Sequence, residues 1–198
     1  FKKEEENYKE AAKILKESGA DLLVLEMLLD VDHSKILLNA ALETGLPVWV
    51  GLSCCDSKFD NSVIGRNFRA EKEKSLIYDE NKYRDQPKYL PEDKIILLED
   101  IIKSLTSLGG DVYGIMHTWF QDSIGGLKIL KNNWKGPIMF YPEIHKFDTN
   151  THKAIITMTE EEFSNSILEL IDDQIQIVGG CCGVNDKHLK RLIQSISE

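Results

Sequence analysis

The chain has 198 residues, 42% hydrophobic and 29% charged, which is enough apolar content to bury the core of one domain. Its formal net charge of −9 argues against recruitment to nucleic acid or to an anionic membrane surface by general electrostatics. No run approaches the ~20 apolar residues that span a bilayer, and no secretory leader is visible, although a chain that begins at Phe1 is open to having lost its true N-terminus.

In chain order, Tyr8 to Ser18 reads as a helix stopped by Gly19, a residue suited to a helix C-terminus. The run Leu22-Leu23-Val24-Leu25 is too short and too continuously apolar for an amphipathic helix. It is expected to form a buried parallel strand ending at Glu26. A helix from Asp32 to Thr44 stops at Gly45, and Pro47 to Leu52 is a second strand. Residues 56–92 are polar, carry Gly65, Pro87 and Pro91, and read as an inserted loop of a length that is usually functional or partly disordered. A helix over Glu92 to Leu108 ends at Gly109-Gly110 and leads to a third strand, Val112 to Met116, which delivers His117 at its C-terminal end. Helix 122–133, strand Pro137 to Tyr141, helix 159–171 and strand Ile175 to Val178 continue the alternation. The last strand runs into Gly179-Gly180-Cys181-Cys182-Gly183, and a final helix begins near Asn185 or Asp186, either of which suits an N-cap.

Five strand–helix units without an internal repeat imply an α/β domain, residues 1–198, with a parallel sheet and helices on its outer faces. Doubly wound sheets and TIM barrels both fit. A complete barrel has eight units and typically ~250 residues, so on the barrel reading this chain supplies the last five.

Four cysteines fall in two adjacent pairs, Cys54-Cys55 and Cys181-Cys182. Vicinal cysteines close loops poorly, so the expectation is a reduced, cytoplasmic protein whose thiols are core, ligand or reactive groups. In parallel α/β folds reactive groups collect at the C-terminal ends of strands. Glu26, His117 and Cys181-Cys182 all occupy such ends. One imidazole and two thiolates make up the three protein ligands of a catalytic zinc site with one position open, and Gly179, Gly180 and Gly183 give the backbone freedom to aim adjacent thiols at one ion. Other readings stay open: core cysteines, a hydrogen-bonded structural His117, a Glu26 that caps a helix or pairs with a lysine. Cys54-Cys55 competes as a ligand source without a glycine frame, and His145 is a further candidate to line the site.

The motif Gly179-Gly180-Cys181-Cys182-Gly183, followed by His188-Leu189, resembles the signature that closes the homocysteine S-methyltransferase domain. That family shares a (β/α)8 barrel with the betaine–homocysteine and cobalamin-dependent methionine-forming enzymes. Tyr8 to Glu26 resembles its fourth unit, Pro47 to Cys54 its fifth strand, Gly114-Ile115-Met116-His117-Thr118 its sixth and Pro137 to Pro142 its seventh. The resemblance implies that Cys181 and Cys182 are two of three Zn2+ ligands and that Glu26 holds the amino group of homocysteine. It departs at Met116-His117, where the family usually reads Asn-Cys, so His117 is expected as the third ligand. It departs again at Glu143-Ile144-His145, where Asn and Gly are usual, and in the length of 56–92. The implied reaction moves a methyl group from a small donor to the homocysteine thiol, making methionine. A degenerate, non-catalytic zinc or thiol module and a zinc-assisted hydrolase are the rival expectations. The family's first three strands have no counterpart here. The expected partners are therefore the missing N-terminal barrel strands or a complementing chain, with a homo-oligomer as another arrangement.

Overall fold

The computed structural model describes residues 2–56, 62–65, 96–148 and 153–197. Helix α1 (Lys2–Glu17) leads to β1 (Leu23–Leu28), α2 (Val31–Leu42) and β2 (Val48–Leu52). A short pair, β3 (Cys54–Asp56) and β4 (Val63–Gly65), follows, then α3 (Leu98–Thr106), β5 (Val112–Trp119), α4 (Phe120–Asn133) and β6 (Ile138–Glu143). A second pair, β7 (His145–Asp148) and β8 (Lys153–Ile156), precedes α5 (Glu160–Leu168), β9 (Ile175–Val178) and α6 (Asp186–Ser197).

The principal sheet is parallel, with order β1-β2-β5-β6-β9. That order follows the chain without a reversal. A doubly wound sheet reverses direction at a switch point, so the arrangement is an arc of barrel wall. The distribution of apolar side chains agrees. Leu23, Leu25, Val48, Val50, Leu52, Tyr113, Ile115, Ile138 and Phe140 join Leu38, Ile101, Leu105, Leu130 and Phe163 of the helices in one core. A separate small cluster of Val112, Met116 and Met139, with Trp49, Tyr141 and Ile177 against it, contains strand residues alone. Side chains alternate across a strand, so one face buries the helices and the other forms the concave wall.

Local signals set the element ends. Asp30 caps α2 by accepting from the His33 N–H at 2.9 Å, and Thr159 with Glu162 forms a capping box on α5. The expected helix at 8–18 starts earlier, at Lys2, because the polar first turns continue the helix on the solvent side. The expected inserted loop falls largely outside the described residues. What is described of it includes an antiparallel pairing of Cys54 with Gly65 and Cys55 with Ile64. The expected strand over 112–116 runs on to Trp119, so His117 lies within it. Among the described residues, no helix is long and apolar enough to cross a membrane.

Candidate metal centre

Strands β1 and β5 each carry an irregularity at their C-terminal ends. The β1–β2 register shifts between Leu25 and Leu28, and the β5–β6 register shifts between Met116 and Trp119. The two non-glycine residues with positive φ among those described sit in these bulges, Met27 at +58° and His117 at +47°. Bulges re-aim side chains beside active sites. The irregular backbone is held in place. Ser53 Oγ donates to the His117 carbonyl at 2.7 Å, the Cys54 N–H donates to Thr118 Oγ1 at 2.9 Å, and the Ser53 N–H donates to the Leu28 carbonyl at 3.1 Å.

After β9 the chain makes a tight turn in which the Val184 N–H donates to the Cys181 carbonyl at 3.1 Å, with Gly183 at φ +90°. A side chain at Gly183 would be strained at that φ and would lie 3.1 Å from the His145 Cβ and backbone N. Gly179 is packed for another reason: its Cβ position lies 2.7 Å from the Tyr141 ring. These glycines bring the two thiols up to His117. The His117 Nδ1 is 3.5 Å from Cys181 Sγ and 3.8 Å from Cys182 Sγ, and the two sulfurs are 3.9 Å apart.

Those separations test the donor set against zinc. Zinc–sulfur bonds of about 2.3 Å and zinc–nitrogen bonds of about 2.0 Å at tetrahedral angles place two sulfurs about 3.8 Å apart, and nitrogen and sulfur about 3.5 Å apart. The three donor atoms match that triangle to within a few tenths of an ångström, so the residues fit a tetrahedral zinc ion. Burial, followed by the charges of Cys181 and Glu143, pushes the Cys182 thiol up to about 11. Without a metal it is a protonated thiol at neutral pH.

The other candidates fall into place around this triad. Cys54 is 2% exposed and belongs to the helix-side core. Its sulfur lies 2.7 Å from the Cβ position of Gly126 in α4, and burial raises its pKa strongly. It therefore packs away from the triad as a core thiol. Glu26 is exposed on β1. Its charge, after burial, raises the pKa of Tyr141, whose ring covers Gly179. Glu26 thus stands electrically close to the wall of the site. Among the described residues, His33 pairs with Asp30 and Glu4, and His188 bonds Asn185.

Glu143 was not among the residues singled out for a role from sequence. It is 8% exposed, and its Oε2 lies 3.6 Å from His117 Nδ1. With His145 and Cys182 it also forms a second donor group, adjoining the first. The cue in the sequence was its place after Tyr141-Pro142 at a strand end. The bulge that swings His117 toward it left no such cue. The cleft lined by Lys135, Pro137, Asp173 and Gln174 lies at the opposite, N-terminal end of β6 and β9 and holds no thiol or imidazole.

A family model described as homocysteine S-methyltransferase matches residues 1–75 and 97–196, leaving 76–96 unmatched. The chain belongs to the homocysteine S-methyltransferase family. Its fold is similar to that of the homocysteine methyltransferase MmuM from Escherichia coli. The metallated form of that protein superposes with a TM-score of 0.62 at 14% identity, over 96% of this chain and 52% of that one. The apo form gives 0.60 at 14% identity, over 96% and 57%. This chain therefore spans little more than half the length of the solved structures it matches, and contributes five consecutive units of their barrel type of fold. No curated protein matches it by sequence.

Proposed function

We propose that this chain carries the metal-binding side of an S-methyltransferase site that moves a methyl group to the thiol of homocysteine, making methionine. The observation that supports it most is the His117, Cys181, Cys182 triad, spaced for tetrahedral zinc at strand ends, in a member of this family. Zinc, when bound, supplies the positive charge that ionises a thiol below its ordinary pKa. The protein's own residues do the rest. Cys181, Cys182 and His117 would hold the ion, a set of three protein ligands that leaves a fourth position for the substrate thiol. Glu26 accepts hydrogen bonds from the substrate ammonium. Tyr141, Trp49 and Met116 give that wall an apolar surface that keeps water from a cationic methyl donor. In the transfer, the substrate thiol gives up its proton to solvent and its sulfur forms the new bond to the methyl carbon. The carbon–sulfonium or carbon–ammonium bond breaks, and the donor leaves as a neutral thioether or amine. Two thiolates and a neutral imidazole balance the charge of a divalent zinc ion.

Two further expectations belong to this reading. The setting is reducing and cytoplasmic, because vicinal thiols such as Cys181-Cys182 close loops poorly as disulfides. The remaining barrel wall comes from additional chain or from a complementing partner.

The reading is tested by measuring zinc content and homocysteine-dependent methyl transfer for the wild type, a Cys181→Ser/Cys182→Ser double variant and Glu26→Ala. The double variant loses zinc and turnover together. Glu26→Ala keeps its zinc and raises the homocysteine KM by about tenfold or more, the worth of one charge-assisted hydrogen bond. Equal zinc in wild type and double variant would sink the site assignment. Glu143 beside His117 favours one alternative, a zinc-assisted hydrolase with that carboxylate as base. Turnover that needs no thiol would select it, and zinc binding without any turnover would select the non-catalytic module.

A further inference from the structure

We propose that Glu143, His145 and Cys182 form a second metal site, for zinc or a cation of the same class, sharing the Cys182 sulfur with the first. It rests on the reading above only through that shared thiolate.

Four observations carry it. A carboxylate oxygen, a ring nitrogen and a thiol sulfur of these three residues lie within 4.8 Å of one another. The His145 Nδ1 is buried and has no hydrogen-bond partner, a state that costs free energy unless something else satisfies the nitrogen. Glu143 is buried and its Oε2 lies 3.6 Å from His117 Nδ1, which sets the carboxylate between the two donor groups. The group is also built on a fixed frame. The Ile144 N–H donates to the Cys182 carbonyl at 2.9 Å and the Cys181 N–H donates to the Pro142 carbonyl at 3.0 Å, which ties the β6–β7 junction to the cysteine turn. Thr157 adds two donors, N–H and Oγ1, to the Ile144 carbonyl at 2.8 Å each. Gly183 lets that turn press against His145, where any side chain would meet the His145 backbone.

The donor chemistry selects the cation. One oxygen, one imidazole and one thiolate suit zinc and disfavour magnesium or calcium, which take oxygen. Cys182 is the exposed member of the pair of thiols, so the ion has a path from solvent. The second ion has only two ligands of its own, because Cys182 is shared with the first. Two cations on one thiolate also repel. Both effects make this the weaker site. Filling it alone releases the Cys182 proton to solvent; when the first site is full, that proton has already gone.

The test is a zinc titration of the metal-free chain against a chromophoric chelator. The wild type takes up two equivalents, the second about tenfold or more weaker than the first. His145→Ala keeps the tight equivalent within about threefold and loses the second. Glu143→Gln, which preserves the side chain's shape, also loses the second, and melting curves of the metal-free proteins show that each variant folds. One equivalent in the wild type that both variants keep, or two equivalents in both variants, overturns the second site. A single zinc that is lost in His145→Ala and kept in Cys181→Ser overturns the first site and supports this one.

Discussion

His117 combines three properties that rarely meet by chance in one residue: a left-handed backbone, a place at a parallel-strand end and two thiols within 3.8 Å. A non-glycine residue held at positive φ costs roughly 1–3 kcal/mol and persists where the surroundings fix it. Here Ser53 Oγ on its carbonyl and Thr118 Oγ1 on the Cys54 N–H do so. If the imidazole is a ligand, His117→Cys retains zinc and His117→Ala weakens it by at least about tenfold, since one donor is gone. Chelator competition measures both. Undiminished affinity in His117→Ala would return the histidine to a purely structural role. The residue types of this triad were legible in the sequence, because a histidine and a glycine-framed cysteine pair at strand ends are chemical signals in themselves. Glu143 was legible only as a strand-end residue after Tyr141-Pro142, and its approach to His117 was not, because the register shift between Met116 and Trp119 has no residue pattern to mark it. Cys54 followed a strand as Cys181 does, yet its side chain faces the helices. Which face a residue takes just past a strand end depends on backbone bulges, and Ser53 breaks the β2 alternation there.

At the scale of elements, the parallel strands read well from sequence because their continuous apolar runs reflect burial on both faces. The two antiparallel pairs did not. All four residues of β8 are exposed, so no alternation marks it, and β3 follows β2 after a single residue without a turn signal. The close approach of β5 to β6 also has a sequence cause that only the structure exposes. A Cβ at Gly114 would lie 2.1 Å from Met139 Cγ and 2.3 Å from the Met139 carbonyl oxygen. A backbone atom cannot step aside as a side chain can. Gly114→Ala therefore forces the two strands apart, at an expected cost of about 1–3 kcal/mol in urea unfolding. It should also weaken zinc binding, because β5 carries His117 and β6 leads to the junction that braces the cysteine turn. Unchanged urea stability would show that the strands have room the geometry denies.

Over the whole molecule, the sequential strand order β1-β2-β5-β6-β9 makes a curved wall whose two edges, β1 and β9, have no neighbouring strand among the described residues. Its concave face is apolar around Val112, Met116 and Met139 and is partly open to solvent, with Val24 39% and Met27 37% exposed. Ile14 and Leu15 on α1 and Ile193 and Ile196 on α6 are also exposed. Unpaired edges and contiguous apolar surface favour association. Alternation of strands and helices gave the layers from sequence, but closure and edges are properties of pairing over long range, which alternation does not specify. The 198-residue chain by itself should therefore bind a hydrophobic dye and sediment as more than one species, with the larger species growing as concentration rises. Val24 sits on the concave face of β1, paired in register with Trp49. Val24→Lys places a charge there without removing a core contact, since Val24 lies outside the helix-side cluster. That variant should bind less dye and shift toward monomer, with a melting temperature close to the wild type. A wild-type chain that stays monomeric at every concentration and binds no dye would show that the concave face is covered by the chain's own residues.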